Sequence, residues 1–171
     1  VLILGDANDV NTAADGARYT NFETIQTTTS YDADLVAGIT GFRLGTSTGQ
    51  SFTDLTATQA ANVTVIGDLT TGTIALKDAT GSSDTLSLTM GTGTTTAAAT
   101  DVVTGITVTG FETLNVAENG GPTATAGANR TAIIAAVTGA TLSDINLTGR
   151  AVTITNLATT VPVDIDGTAL T

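Results

Sequence analysis

Short runs in which apolar and polar residues alternate, each closed by Gly, Thr, Asn or Asp, recur along the whole chain: "ANVTVIGDL", "GTIALKDATG", "DTLSLTMG", "SDINLTG", "RAVTITNL" and "VPVDIDG". A period of two puts alternate side chains on opposite faces of a strand, and small turn-formers end it, so the pattern predicts short strands and corners about every ten residues. Aliphatic positions also recur at a longer interval. Ile25, Leu44, Val65 and Leu86 are 19, 21 and 21 residues apart, and Leu114, Ile133 and Ile154 are 19 and 21 apart. A unit of about 20 residues with about two strands in each predicts an all-β chain, a β-solenoid of stacked coils with little or no helix, each coil burying its aliphatics against its neighbours. A β-sandwich would account for short strands at this spacing, but sandwiches close their cores with larger side chains, aromatics among them.

Two stretches break the rhythm, "MGTGTTTAAATD" at 90–101 and "ENGGPTATAGAN" at 118–129, and both have the small polar composition of surface loops. They flank "GFETLNV" at 110–116, which repeats "NFETIQT" at 21–27. The chain thus reads as a single module over 1–171, divisible into two related halves, 1–90 and 91–171. A continuous strand through "FETLNV" would bury Glu112 and expose Phe111, so a corner is expected between Phe111 and Thr113, with Phe111 turned inward and Glu112 satisfying N–H groups of the corner. The opening "VLIL" reads as the middle of a strand region, and the chain is taken as a fragment of something longer.

Composition sharpens the β reading. Forty Thr, twenty-five Ala and nineteen Gly stand against four Phe, two Tyr, one Met and no Trp, so Val, Ile, Leu and Ala must fill the interior. Thr, Val and Ile suit a pleated surface, and Thr ladders with Thr between strands. Sixteen acidic residues face five basic ones, for a net charge of -11. That field repels nucleic acid and anionic membrane surfaces and favours cations. No basic segment followed by an apolar run opens the chain, and no stretch of about 18 apolar residues occurs, so neither a signal peptide nor a membrane-inserted segment is expected.

His and Cys are both absent. Ser-His-Asp and Cys-His catalysis, His-based metal sites and disulfides are thereby excluded. No phosphate-cradling glycine motif is present either. A polysaccharide-cleaving site would pair carboxylates with sugar-stacking aromatics and a base, for which only scattered residues such as Lys77 and Arg130 are available, so the chain is read as no enzyme. Oxygen-rich loops suit a hard cation such as calcium, which takes six to eight oxygens. The candidate ligands are Asp6, Asn8, Asp9 and Asp15 in "GDANDVNTAAD", Asp84 in "GSSDTL", and Asp164 and Asp166 in "VDIDG". Each Asp can equally close an Asx-turn at a solvated corner.

"SSDTLSLTMGTGTTTAAATDVVTGITVTGFETLNVAE" resembles a segment of the calcium-dependent, RTX-type surface-layer (S-layer) proteins of Gram-negative bacteria, in which a "D-x-L-x-L" strand, a Thr/Ala-rich loop and a "GfETlnv" strand follow one another. "RAVTITNLATTVPVDIDGTALT" is similar to the following part of that family, with Asp166, Gly167, Thr168, Ala169 and Leu170 in the place of its "iDaSaltG" element. The nonapeptide "GGxGxDxUx" is missing, and its nearest approach, Ala79 to Leu86, keeps Asp84 and Leu86 without the glycines. The resemblance implies a self-assembling structural module of a secreted protein, exported by type I secretion to the bacterial outer surface. It would form a calcium-dependent two-dimensional lattice of identical copies, anchored through another domain, with lipopolysaccharide as the candidate anchor. Two other readings use the same vocabulary: an RTX adhesin binding a host or glycan ligand, and a β-helical polysaccharide lyase.

Overall fold

A computed structural model of the chain describes residues 1–6, 8–45, 49–90, 100–118 and 131–170. Along these residues run β1 (Leu2–Leu4), α1 (Ala13–Gly16), β2 (Thr24–Thr27), β3 (Tyr31–Asp32), β4 (Gly41–Leu44), β5 (Gln50–Leu55), α2 (Ala57–Ala60), β6 (Val63–Val65), β7 (Leu69–Leu76), β8 (Thr85–Met90), β9 (Thr100–Thr109), β10 (Thr113–Glu118), β11 (Thr131–Gly139), β12 (Asp144–Gly149), β13 (Ala151–Thr159) and β14 (Asp164–Leu170). The loop expectations for 90–101 and 118–129 fall mainly on residues outside those described. Met90, Thr100, Asp101 and Glu118, at their margins, belong to strands.

The strands form two sheets, one in the order β1-β2-β4-β6-β8-β10-β12-β14 and the other β13-β11-β9-β7-β5-β3. Neighbours in both sheets pair parallel, as in β8 with β10 and β7 with β9. A parallel pair needs a crossover between its strands. Here a strand of the opposite sheet lies in each crossover from β2 onward, and the inner faces of both sheets contribute to one core.

The expected β-solenoid of stacked twenty-residue coils is corrected to this two-sheet parallel arrangement. Paired aliphatic and aromatic residues of the larger sheet are 17 apart at Ile25 and Phe42, 25 at Val63 and Leu88, 28 at Leu86 and Leu114, 31 at Leu114 and Ile145, and 20 at Ile145 and Ile165, so no common coil length exists. Leu114 and Ile133, spaced as one period in the sequence, lie in different sheets. The physical reason is that pairing requires inward side chains to meet in register and places no demand on connection length. Two single-turn helices are also present. Thr12 caps α1 by accepting from the backbone N–H of Asp15, and Thr56 with Gln59 forms a capping box on α2. The Gln59 amide reaches Ile39 O at 3.2 Å and so ties α2 to the neighbouring connection.

Alternation decides which face is buried. In β8 and β10 the inward rows are Leu86, Leu88 and Met90 against Leu114, Val116 and Glu118, all at most 1 % exposed. Aromatic packing is confined to the early strands, where Phe42 and Phe52 meet edge-on at 5.4 Å. The two ends of the sheet pair differ. Near β1, Val10 is buried in the common core, and Val10 and Asn11 line an open hollow with Ser30, Tyr31 and Asp32 beside the short edge strand β3. At the other end, β13 and β14 contain no fully buried residue, and Ile165 is 50 % exposed.

Candidate functional site

The repeated Phe-Glu-Thr sequence forms a corner in both places. The residue before it takes a left-handed backbone, Asn21 at φ 64° and Gly110 at φ 81°. Asn and Gly are the residues that adopt this conformation at least cost. At Gly110 a Cβ would also stand 2.6 Å from Cβ of Ala79, so no side chain fits. The turn brings Phe111 wholly into the core, and Phe22 packs against the same core. Each Glu then presents its carbonyl to the next corner: Glu23 O accepts from Thr40 N at 2.8 Å, and Glu112 O accepts from Ser143 N at 2.9 Å and Asp144 N at 3.0 Å. The Glu112 carboxylate accepts from Asp84 N at 2.9 Å, as expected of a group that satisfies corner N–H groups. The left-handed residue ahead of each motif was not anticipated, although the Asn/Gly exchange in "NFET" and "GFET" signals it.

The candidate ligands fall into three separate places. In the loop after β1, Asp9 Oδ2 accepts from Gly5 N and Asp6 N, both at 3.0 Å, and Asp6 Oδ1 accepts from Asn8 N at 2.8 Å and Asn8 Nδ2 at 2.7 Å. Asp15 accepts from the Thr12 hydroxyl at 2.6 Å. These groups hold their own loop and helix cap. Asp84 stands at a corner, with its Oδ2 enclosed and without a hydrogen-bond partner. It borders a groove of about 480 Å3 with Leu55, Leu76, Lys77 and Asp78. Lys77 there is ion-paired with Asp34, whose hydrogen bond raises the ammonium pKa, and Asp78 is held below the usual carboxylate range by the Thr80 hydroxyl and N–H. Arg130, the other candidate base, lies outside the described residues.

Asp164 and Asp166 project from the outer face of β14, the edge of the larger sheet. In register, Asp164 stands beside Asp144, and Asp166 beside Asn146. The rows continue inward along the sheet as Thr85, Thr113, Asp144, Asp164 and as Ser87, Asn115, Asn146, Asp166. Asn146 Nδ2 donates to Asn115 Oδ1 at 2.9 Å, an amide ladder between strands. Asp166 Oδ1 accepts from Thr168 N at 2.8 Å, a bond that holds its pKa down. Among the described residues, no three carboxylates converge tightly enough to hold a metal ion. One buried carboxylate was missed altogether: Glu118 occupies an inward position between Met90 and Gly149. The smaller sheet carries a third polar row, Ser51, Thr73, Thr107 and Thr138.

No protein-family model, no curated protein and no solved structure matches the chain. Among the described residues no helix is long and apolar enough to cross a membrane.

Proposed function

We propose that the chain is a non-catalytic structural module of a secreted, calcium-dependent surface-layer protein, which assembles with copies of itself into a lattice on the outer face of a bacterial cell. The observation that carries this reading is the set of small polar side chains in parallel register on the outer faces, Ser87, Asn115, Asn146 and Asp166 on one sheet and Ser51, Thr73, Thr107 and Thr138 on the other. Such faces are repetitive and rich in hydrogen-bonding groups, which suits extended contact between copies; the hollow that Ser51, Thr73, Thr107 and Thr138 line is about 180 Å3, smaller than the roughly 300–1,000 Å3 of a small-molecule site. Calcium enters through charge, because a chain at -11 that stacks Asp164 on Asp144 gains from a divalent ion at that row. The motif resemblance adds the secreted setting and an anchor on another domain, with lipopolysaccharide as its proposed ligand.

Electron microscopy of the protein with calcium, and again with chelator, tests the reading. An ordered two-dimensional array formed only with calcium is expected. Dispersed particles in both conditions, or turnover of a polysaccharide abolished by Asp84→Asn, would overturn it.

A further inference from the structure

The connection from β7 to β8, residues 77–84, is longer than its counterparts at 110–112 after β9 and 140–143 after β11. Between it and the start of α2 lies the groove of about 480 Å3 that Asp84 borders. That volume falls within the roughly 300–1,000 Å3 of small-molecule sites. Its apolar lining is Leu55, which is fully buried, Leu76, which is half-buried, and Ala57. Lys77, Asp78 and Asp84 supply the charge.

Those charges are not equally available. Lys77 is already ion-paired with Asp34, and Asp54 and Asp32 also act on its ammonium. Among the described residues, neither Asp78 nor Asp84 is in an ion pair. Asp78 uses Oδ1 to accept from the Thr80 N–H and hydroxyl. The hydrogen bonds of Asp84 run through its backbone, from its N–H to Glu112 Oε2 and to its carbonyl from the N–H groups of Glu112 and Thr113. Its Oδ2 is enclosed without a partner, and a Cβ at Gly81 would collide with that oxygen, so the connection closes over the carboxylate only because a glycine stands there. A positive group beside an enclosed, partnerless carboxylate oxygen offsets the cost of its desolvation. A bare metal ion would use the carboxylates and leave the aliphatic lining unused. An ammonium on a hydrocarbon stem uses both.

We propose that this groove binds a small alkylammonium ion, its stem against Leu55, Ala57 and Leu76 and its N–H groups directed to the carboxylates of Asp78 and Asp84. Charge selects the sign of the ligand, because an anion would meet both carboxylates in a chain that stands at -11. The site goes beyond the surface-layer reading and does not depend on it.

The test is titration of the whole protein with butylamine at neutral pH, in the presence of chelator, read from amide NMR shifts. Butanol and butyrate carry the same stem without the cation, and ammonium chloride carries the charge without the stem. Saturable shifts centred on Ala57, Leu76, Lys77, Asp78 and Asp84 are expected with butylamine, and much smaller ones with the other three. Asp84→Asn should raise the Kd about threefold to fivefold, the loss of one partly exposed charge contact. Leu76→Ala should raise it through the stem. Asp164→Asn, on the outer face of β14, should leave it unchanged. Shifts that never saturate, or that ammonium chloride reproduces, would overturn the proposal. So would a Kd indifferent to both Asp84→Asn and Asp78→Asn, and so would shifts of these amides with calcium but not with butylamine, which would make the groove a metal site.

Discussion

Asp84 and Glu112, 28 residues apart, bond each other twice: Asp84 N donates to Glu112 Oε2 at 2.9 Å, and Glu112 N donates to Asp84 O at 3.0 Å. The pair locks one corner onto the next before the alternating strands β8 and β10 begin. A hydrogen bond to a charged acceptor contributes about 1.5–3 kcal/mol, and its loss leaves a partly buried N–H without a partner. Glu112→Ala should therefore destabilise the protein by that amount in urea unfolding. Glu112→Gln retains an oxygen acceptor and should lose clearly less. Equal losses would reject the acceptor role of the side chain.

Distance from the sheet edge should set the cost of core truncation. Leu114 is fully buried between Leu86 and Ile145, whereas Ile154 lies on the last strand of its sheet and is only partly covered. Leu114→Ala should cost about 2–5 kcal/mol and Ile154→Ala well below that range, because the end position loses fewer packed neighbours. Asp at position 114 should abolish the native circular dichroism signal, since an unpaired charge would be enclosed by aliphatics. Thr153→Asp, on an exposed position, should leave it intact.

Strand content and facing were legible because both follow from alternation: "DTLSLTMG" and "SDINLTG" each bury the residues that a period of two selects. The corner at Phe111 was legible for the same reason, as a continuous strand there would have buried a carboxylate. The sheet arrangement was not. Equal spacing of Leu114, Ile133 and Ile154 looks like a repeat, yet Leu114 pairs with Ile145 and it is Ile134 that pairs with Ile154. One residue of offset decides which face a side chain takes, and spacing alone does not report it. The Asp residues show the opposite limit. Sequence identifies them as oxygen ligands or turn-formers, and only coordinates show that Asp6 Oδ1 and Asp9 Oδ2 accept from N–H groups of their own loop.

Alkaline pH should loosen the early strands through Tyr31. Burial, with a smaller contribution from the Asp32 charge, pushes its phenol up to about 12 from an ordinary value of 10.0. The folded protein then holds a proton that the unfolded chain releases, so stability is complete below about 10 and falls as pH rises from there towards 12. Unfolding free energy measured across this window should decline for the native protein. Tyr31→Phe should flatten that decline, and an unchanged slope in the variant would assign it elsewhere.

Calcium should raise the melting temperature by a route that the geometry narrows to one face. Register partners in a sheet are about 4.8 Å apart. Asp144 and Asp164 therefore place two carboxylates side by side on an exposed edge, with Asp166 two residues further along β14. Like charges directly opposite each other destabilise a strand pair, and a divalent ion shared between them removes that cost in the folded state alone, which stabilises by mass action. Magnesium should do less, since it gives up its waters reluctantly. Asp164→Asn and Asp166→Asn should each shrink the calcium-dependent rise. Asp9→Asn should lower the melting temperature equally with calcium or with chelator, because Asp9 serves the loop after β1 through the N–H groups of Gly5 and Asp6. Asp54→Asn should leave the calcium response unchanged. Melting curves of the five proteins in calcium, magnesium and chelator separate these outcomes, and a native curve indifferent to calcium would remove the ion from the proposed function.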